Sequence, residues 1–360
     1  MTTKSANNIP TTPVSRKMAG KISKQLLMCE EGTPEYLAAF EKAQRWRAQH
    51  ALPTENCFRT LLGTTSDFPE AVLTFRLKRM KSMLAKIKRP EGHNQIGTMD
   101  DIGGCRMILK DMDQVEDAID MLAGLFTLKQ GSNSIKNYIE KPRRSGYRSC
   151  HLITVNPGED RDYRVEVQIR TKLQHLWSTA VEAASFVYES NYKAEKSLEE
   201  VDSLEREIRV FFTIVSSLFA LEEGTPQVRG FAVPASDLVR ELKRLQRLED
   251  IIEDLSNADD GVYLSENGTQ FDMPGFYLMR FATDLQFLDI GYFGENRLEK
   301  ALSAYDECES IANMEGKTAS LIDYDDVVLA YAQDGEQLSL AFPNYSTRIS
   351  EFLDRVNSYL

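Results

Sequence analysis

Two acidic residues, Asp101 and Glu166, stand among segments of the chain that are rich in arginine and lysine. The segment 76–89 carries seven positive charges and no acidic residue, and 141–151 holds four more cations together with Tyr147. Carboxylates hold Mg²⁺, while Arg and Lys bind the polyphosphate oxygens that the metal bridges. The combination predicts a magnesium-dependent site for phosphoryl or pyrophosphoryl transfer.

Each of these features also has a plainer interpretation. A run of positive charges is usually a solvated face, a basic loop is often an exposed hairpin, and Asp residues before a strand commonly form a turn. The seven cations within 76–89 repel one another, however, and a polyanionic ligand would relieve that repulsion. Taken together, the segments favour the transfer site.

The elements that must position these residues follow from the periodicity of the chain. Residues 163–170 alternate between apolar and polar side chains, which predicts a strand. Its polar face carries Arg164, Glu166, Gln168 and Arg170. Residues 105–110 and 151–155 are predicted as further strands. A basic helix is predicted over about 68–88, from apolar residues at helical spacing, namely Leu77, Met80, Leu84 and Ile87.

The order of these elements predicts the fold class. Alternating strands and helices between 105 and 223 are typical of an α/β (α+β) protein with a mixed β-sheet flanked by helices. Gly224 and a shift to acidic composition mark a boundary. We predict an N-terminal arm and helix over 1–45, a main domain over 46–225, and a small acidic α/β unit over 230–360.

Composition excludes several classes of protein. The chain has 360 residues, 42% hydrophobic and 27% charged, which is typical of a globular protein of about two domains. The chain has no apolar stretch of about 18 residues, so no membrane-spanning helix is predicted. The first 20 residues lack the apolar core of a signal peptide. The five cysteines are dispersed without metal-binding spacing, which is typical of reduced thiols in a cytoplasmic protein.

The formal net charge of −12 is unevenly distributed. Residues 1–229 carry 33 Lys and Arg against 30 Asp and Glu, whereas 230–360 carry 10 against 25. The negative total argues against a nucleic-acid binder, but the part that holds the predicted site is nearly neutral. The acidic part either serves solubility or regulates the protein by docking on the basic cleft, in cis or across a dimer.

These motifs, in this order, resemble those of the RelA/SpoT-type synthetases, which make the alarmones guanosine tetra- and pentaphosphate. The resemblance spans about 70–185 and covers five segments. They are Arg76-x-Lys78 with Ser82 and Lys86; Asp101-Ile-Gly-Gly-Cys-Arg106; Tyr138-Ile-x-x-Pro142 followed by Gly146-Tyr147-x-Ser149-x-His151; Glu166-Val-Gln168-Ile-Arg170-Thr171; and Trp177 to Glu182. Arg143 stands where the family usually has Lys.

The resemblance implies a nucleotidyltransferase-like synthetase domain with GTP pyrophosphokinase activity. Such an enzyme moves the β,γ-pyrophosphate of ATP onto the 3′-hydroxyl of GDP or GTP, with Mg²⁺ as cofactor, and this chain would lack hydrolase activity. The residues implied to be catalytic and to hold the metal are Asp101 and Glu166. Those implied to bind ATP are Arg76, Lys78, Lys86 and Arg106. Those implied to bind the acceptor are Lys141, Arg143, Tyr147, Ser149, His151 and Gln168.

Two other functions stay open on the sequence. Some small members of the family are toxins that pyrophosphorylate the 3′ end of tRNA, and a non-catalytic nucleotide-binding module would share the same cleft. The sequence also leaves open the acceptor nucleotide, the formation of a homo-oligomer, and the existence of an antitoxin or regulatory partner.

Overall fold

The computed structural model describes residues 13–89, 95–257, 263–264, 273–282, 287–312, 324, 326–341 and 348–360. Its helices are α1 (Arg16–Met28), α2 (Pro34–Ala48), α3 (Ala51–Leu62), α4 (Met80–Ile87), α5 (Met112–Leu125), α6 (Lys172–Val187), α7 (Ser203–Glu222), α8 (Ala235–Lys243), α9 (Leu248–Asn257), α10 (Leu298–Ala312), α11 (Gly335–Ala341) and α12 (Arg348–Asn357). Its strands are β1 (Val72–Leu77), β2 (Gly103–Leu109), β3 (Ile135–Asn137), β4 (Cys150–Pro157), β5 (Asp162–Thr171), β6 (Tyr263–Leu264), β7 (Gly275–Ala282), β8 (Phe287–Gly294) and β9 (Asp326–Ala332). Among these helices, none has the length and apolar character that crossing a membrane requires.

The strands of the described residues form one sheet in the order β3-β4-β5-β2-β1-β9-β7-β8-β6. β2 runs parallel to β5, and β6 runs parallel to β8, whereas the other neighbours pair antiparallel. β5 leads directly into α6, where Thr171 and Gln174 form a capping box. The mixed sheet with its flanking helices confirms the predicted α/β class.

The two faces of the sheet differ because successive side chains of a strand point to opposite sides. One face is apolar and lies under α3, α5 and α10, whose residues Phe58, Val115 and Tyr305 belong to one buried cluster. On the opposite face, α6 contacts β5 and β2, and α11 contacts β9 and β1. Between these two helices the face is polar, and a ligand can reach the sheet there.

The predicted basic helix over 68–88 is wrong in its first half. Residues 72–77 form β1, which pairs with β2 on one side and with β9 on the other, and the helix begins only at Met80. A short apolar run such as Val72-Leu73-Thr74-Phe75 suits a buried strand as well as a helix, and sheet pairing on both edges decides the outcome. Arg76 therefore projects from a strand, and Lys86 from a helix.

The strands of the C-terminal residues, which were predicted to form a unit of their own, lie in the same sheet as the central strands. β9 pairs with β1 through Leu73, Thr74 and Phe75, so the sheet continues without a break into β7 and β8. The helix α12 packs against α6 and α9, and Phe352 lies in one cluster with residues of α6 and α7. The boundaries at 45, 225 and 230 remain predictions.

Candidate active site

The polar face of the central strands brings predicted site residues to neighbouring positions. Glu166 on β5 lies beside Gly104 on β2, which lies beside Arg76 on β1. Two residues further along β2 and β5, on the same face, Gln168 lies beside Arg106. These five residues line an open cleft of about 700 Å³. Further polar residues of the cleft wall are Thr74, Lys78, Arg79, Ser82 and Asp101.

Asp101 meets two of the predicted ATP-binding lysines. It precedes β2, and its carboxylate accepts hydrogen bonds from Lys78 Nζ at 3.1 Å and from Lys86 Nζ at 2.8 and 2.9 Å. Burial alone would raise the pKa of Asp101, but the two ammonium groups outweigh it and lower that pKa below its ordinary value. The carboxylate therefore stays ionised within a cationic surrounding that suits phosphate oxygens.

Glu166 lies at the centre of a second network. Its Oε1 is 3.0 Å from His151 Nδ1, and its Oε2 accepts a hydrogen bond from Gln168 Nε2 at 2.9 Å. His151 Nε2 lies 2.8 Å from the Tyr147 hydroxyl. Burial would lower the pKa of His151, but Glu166 raises it to about 9, so the imidazole is a cation at neutral pH and donates from both nitrogens.

The same pairing fixes the charge of Glu166. Burial of this side chain opposes ionisation, yet the imidazolium of His151 and the Gln168 amide outweigh it and lower the pKa of Glu166 well below its usual range. Glu166 is therefore a permanent anion at the floor of the cleft. It is suited to orient a hydroxyl group by accepting its hydrogen bond.

Tyr147 stands in a group of aromatic rings. Its ring centroid is 6.0 Å from that of Tyr138, 5.7 Å from that of His151 and 6.5 Å from that of Trp177. The preceding Gly146 has a φ of +94°, and a Cβ on it would lie 2.8 Å from Cζ2 of Trp177. Only glycine fits this turn, which places the Tyr147 hydroxyl beside His151.

The basic loop 141–151 divides its residues between surface and interior. Lys141 is exposed. The guanidinium carbon of Arg143 lies 4.4 Å from the ring centroid of Tyr138, and Arg143 Nη2 donates a hydrogen bond to the Tyr138 hydroxyl at 2.7 Å. Ser149, which directly precedes β4, is fully buried, and its hydroxyl donates to the Ile169 carbonyl at 3.1 Å. In this arrangement the Ser149 hydroxyl contacts the backbone of β5, and its contact with the acceptor remains a prediction.

Arg106 and Arg76 are diagonal neighbours on adjacent strands, as a pair that encloses a planar base would need to be. Burial, helped by Arg170 and Arg76, lowers the pKa of Arg106 to about 9. Arg106 Nε is buried and has no hydrogen-bond partner within the part of the chain that the structure describes. An anionic or aromatic ligand beside Arg106 would stabilise its charged form.

Three charged residues near the arginines were not named as site residues from the sequence, although Glu182 ends one of the motif segments. Glu182 pairs with Lys193 behind the arginines, and although burial opposes it, Lys193 lowers the pKa of Glu182 to about 2. Asp326, on the C-terminal strand β9, pairs with Arg76. Nothing in the local pattern of β9 signals a site residue, because the contact depends on the pairing of β9 with a strand 250 residues earlier.

The donor set fits a magnesium ion that takes the rest of its ligands from a substrate. Asp101 and Glu166 line one cleft, and the charge of Glu166 opposes the ionisation of Asp101. The two carboxylates are therefore close enough to interact within the cleft. Over the described ranges, no cluster of three or more His, Cys, Asp or Glu residues has the arrangement of a metal site. Mg²⁺ commonly binds through one or two carboxylates plus phosphate oxygens and water.

The fold and the cleft define a class, a mixed α/β protein with a cleft over its central strands that combines two carboxylates with Arg and Lys side chains. Residues 75–193 match the family described as "Region found in RelA / SpoT proteins". The chain therefore carries a RelA/SpoT region, and the resemblance noted in the sequence is confirmed.

One curated protein is similar to this chain over part of its length. GTP pyrophosphokinase YjbM of Bacillus subtilis (strain 168) is 31% identical over 141 residues, which are 37% of this chain. The chain spans 65% of the length of that curated relative. Two solved structures also match. Small alarmone synthetase 1 of Bacillus subtilis bound to its product pppGpp is 22% identical, covering 51% of this chain and 94% of its own, with a TM-score of 0.42. A GTP pyrophosphokinase family protein of Streptococcus pneumoniae is 18% identical, covering 61% and 97%, with a TM-score of 0.39.

The pair of His151 and Glu166 predicts a pH dependence of stability. The unfolded chain loses the His151 proton near its ordinary pKa of 6.5, whereas the folded protein keeps it up to about pH 9. The contribution to the free energy of unfolding is therefore complete below about pH 6.5 and is lost as pH rises towards 9, with a slope of at most about 1.4 kcal/mol per pH unit. Urea unfolding between about pH 6 and 10 measures this slope. The variant His151→Gln should lack this part of the slope, and identical slopes in both proteins would contradict the assignment.

Proposed function

We propose that the protein is a pyrophosphokinase that transfers the β,γ-pyrophosphate of ATP to the 3′-hydroxyl of GDP or GTP. The observation that carries the proposal is the convergence of two separately paired carboxylates in one cleft. Asp101 is held by Lys78 and Lys86, and Glu166 is held by His151 and Gln168. Cations thus surround the carboxylate on the donor side, and a fixed anion stands on the acceptor side.

The proposed step forms one bond and breaks one bond. The acceptor 3′-oxygen bonds to the β-phosphorus of ATP, and the bond from that phosphorus to the α,β-bridging oxygen breaks, so AMP leaves with the bridging oxygen. The proton of the 3′-hydroxyl moves towards Glu166. Phosphoryl groups react through loose transition states, so positioning and charge stabilisation contribute more than the strength of the base. A strongly ionised Glu166 is compatible with this demand.

Each residue of the cleft has a role in this proposal. Arg76 and Arg106 enclose the adenine, and Lys78 and Lys86 move from Asp101 to the ATP phosphates when the nucleotide binds. Tyr147 stacks on the acceptor base, while Lys141 and Arg143 meet its phosphates. Mg²⁺ held by Asp101 and Glu166 would neutralise the phosphate charge that develops during transfer.

Incubation with labelled ATP tests the proposal. With GDP or GTP as acceptor, γ-labelled ATP should give a labelled guanosine product, and α-labelled ATP should give AMP and no ADP. Asp101→Asn should abolish both signals in a folded protein. Label found only in added tRNA would replace the nucleotide acceptor by tRNA. If the protein binds nucleotide but transfers no label, it is a non-catalytic nucleotide-binding module. Added pppGpp should not be hydrolysed.

Gly104 offers a graded test of the cleft itself. A Cβ at this position would have only the carbonyl oxygens of Glu166 and Arg76 near it, at 3.9 and 4.0 Å, so the added group would project into the cleft without a protein clash. We expect Gly104→Ala to weaken nucleotide binding several-fold and Gly104→Val by a further factor of about ten, with melting temperatures that stay within a few degrees. Gly124→Ala on α5, where a Cβ meets nothing within 4 Å, is the matched control. Unchanged nucleotide affinity in Gly104→Val would place the ligand elsewhere.

A further inference from the structure

Asp326 is a buried acidic residue that the proposed chemistry does not use. It begins β9, its residue is 3% exposed, and its Oδ2 lies 3.0 Å from Arg76 Nη1 and 3.8 Å from Arg79 Nε. Burying a carboxylate is unfavourable unless cations compensate it, and here two arginines do so. Both of those arginines line the cleft.

Asp326 lies behind the arginines and not in front of them. The side chains of Arg76 and Arg79 are 33% and 26% exposed, against 2% for that of Asp326, which is absent from the cleft wall. An acidic group that blocked the cleft would stand at its surface, where a ligand displaces it. An acidic group behind Arg76 leaves the cleft side of that guanidinium open to a ligand and fixes its orientation.

The charge balance of this wall supports the same interpretation. Arg76 and Arg106 are close enough that Arg76 contributes to the lowered pKa of Arg106. Without a carboxylate beside Arg76, two like charges would splay apart when no ligand is bound. Asp326 offsets part of that repulsion, and Val328 and Ala341 complete the same side of the cleft from the C-terminal residues.

We propose that Asp326 is a positioning residue for the donor nucleotide, because it holds Arg76 and Arg79 in the orientation that receives ATP. This inference rests on the proposed function in one respect, the identity of ATP as the ligand of these arginines. In this proposal a residue of the C-terminal part of the chain helps to form the ATP site. The regulatory hypothesis drawn from the acidic composition of that part had instead made it dock on the basic cleft, in cis or across a dimer.

Equilibrium binding of ATP to the full chain, followed by calorimetry, tests the proposal apart from turnover. Asp326→Asn should weaken ATP binding about tenfold and raise the KM for ATP in proportion, while the KM for the acceptor stays within about twofold. Asp326→Glu, which keeps the charge on a longer side chain, should recover part of the affinity. The matched control is Asp289→Asn, since Asp289 is a buried acid on β8 that pairs with Arg280, and neither residue lines the cleft.

The outcomes separate this proposal from the proposed function. ATP affinity in Asp326→Asn that is unchanged, tighter, or reduced only as much as in Asp289→Asn would overturn the positioning role. If Asp326→Asn does not fold, Asp326→Glu decides: ATP binding two- to fivefold weaker supports the role, and unchanged binding overturns it. Weakened ATP binding in a protein that transfers no pyrophosphate would sustain the role and overturn the pyrophosphokinase. No ATP binding by the unaltered chain would overturn both.

Discussion

The substitution Glu166→Gln should lower kcat by roughly a thousandfold or more, about 4 kcal/mol of transition-state stabilisation. Glutamine keeps the shape of the side chain and its carbonyl oxygen, but it removes the negative charge that His151 and Gln168 hold in place. An amide cannot take the proton of the acceptor hydroxyl, and it binds a divalent cation poorly. The KM for ATP should change little, because the donor side is held by other residues.

Single-turnover measurements with labelled ATP show the effect directly, and the melting temperature shows whether the fold is intact. Glu159→Gln provides the control, because Glu159 is an exposed acid in the turn between β4 and β5. The imidazole of His151 should also titrate at lower pH in Glu166→Gln, which NMR of the ring protons can follow. A kcat within tenfold of the unaltered enzyme would remove Glu166 from the reaction.

The substitution Arg47→Met should lower the free energy of unfolding by about 3–5 kcal/mol. Arg47 on α2 donates to Glu309 on α10 at 2.5 and 3.2 Å, and both side chains are only 8% exposed. Its Nε also donates to the Lys78 carbonyl at 2.7 Å. Methionine fills much of the volume but leaves a buried carboxylate without its cation and a carbonyl without its donor.

Urea unfolding at neutral pH measures this loss. Arg45→Met on the same helix is the control, because Arg45 makes an exposed pair with Glu41 at 3.7 Å and should cost less than about 1 kcal/mol. Adding Glu309→Leu to Arg47→Met should restore part of the stability, since the buried negative charge that Arg47 compensated is then gone. A loss below about 1 kcal/mol in Arg47→Met would show that the pair contributes little.

The parts of the fold that the sequence predicted are those with a local signal. Residues 163–170 alternate strictly, and they form β5 with Glu166 and Gln168 on the predicted face. The predicted strand 105–110 corresponds to β2, displaced by one or two residues. The motif order, through the family resemblance, predicted Asp101, Glu166, Arg76 and Arg106 as residues of one site. All four line one cleft, although Arg76 lies on a strand where a helix was predicted.

The parts that were not predicted depend on pairing between distant residues. Val72–Leu77 becomes a strand because β2 and β9 both pair with it, and β9 lies about 250 residues further along the chain. Within the basic loop, composition does not distinguish a ligand-binding cation from a structural one. Arg148 is buried and donates to Ser216, Thr225 and the Pro226 carbonyl, whereas its neighbours Arg143 and Arg144 are exposed.

The pairing of β1 with β9 has a consequence for any shortened form of the chain. β1 is an interior strand, with four strands on each side of it within the described residues. A chain that ended near residue 225 would lose β9 and convert β1 into an open edge, whose free N–H and C=O groups invite pairing with another molecule. Such a fragment should self-associate through the exposed edge of β1. Its aggregation would show that β9 is needed to cover that edge.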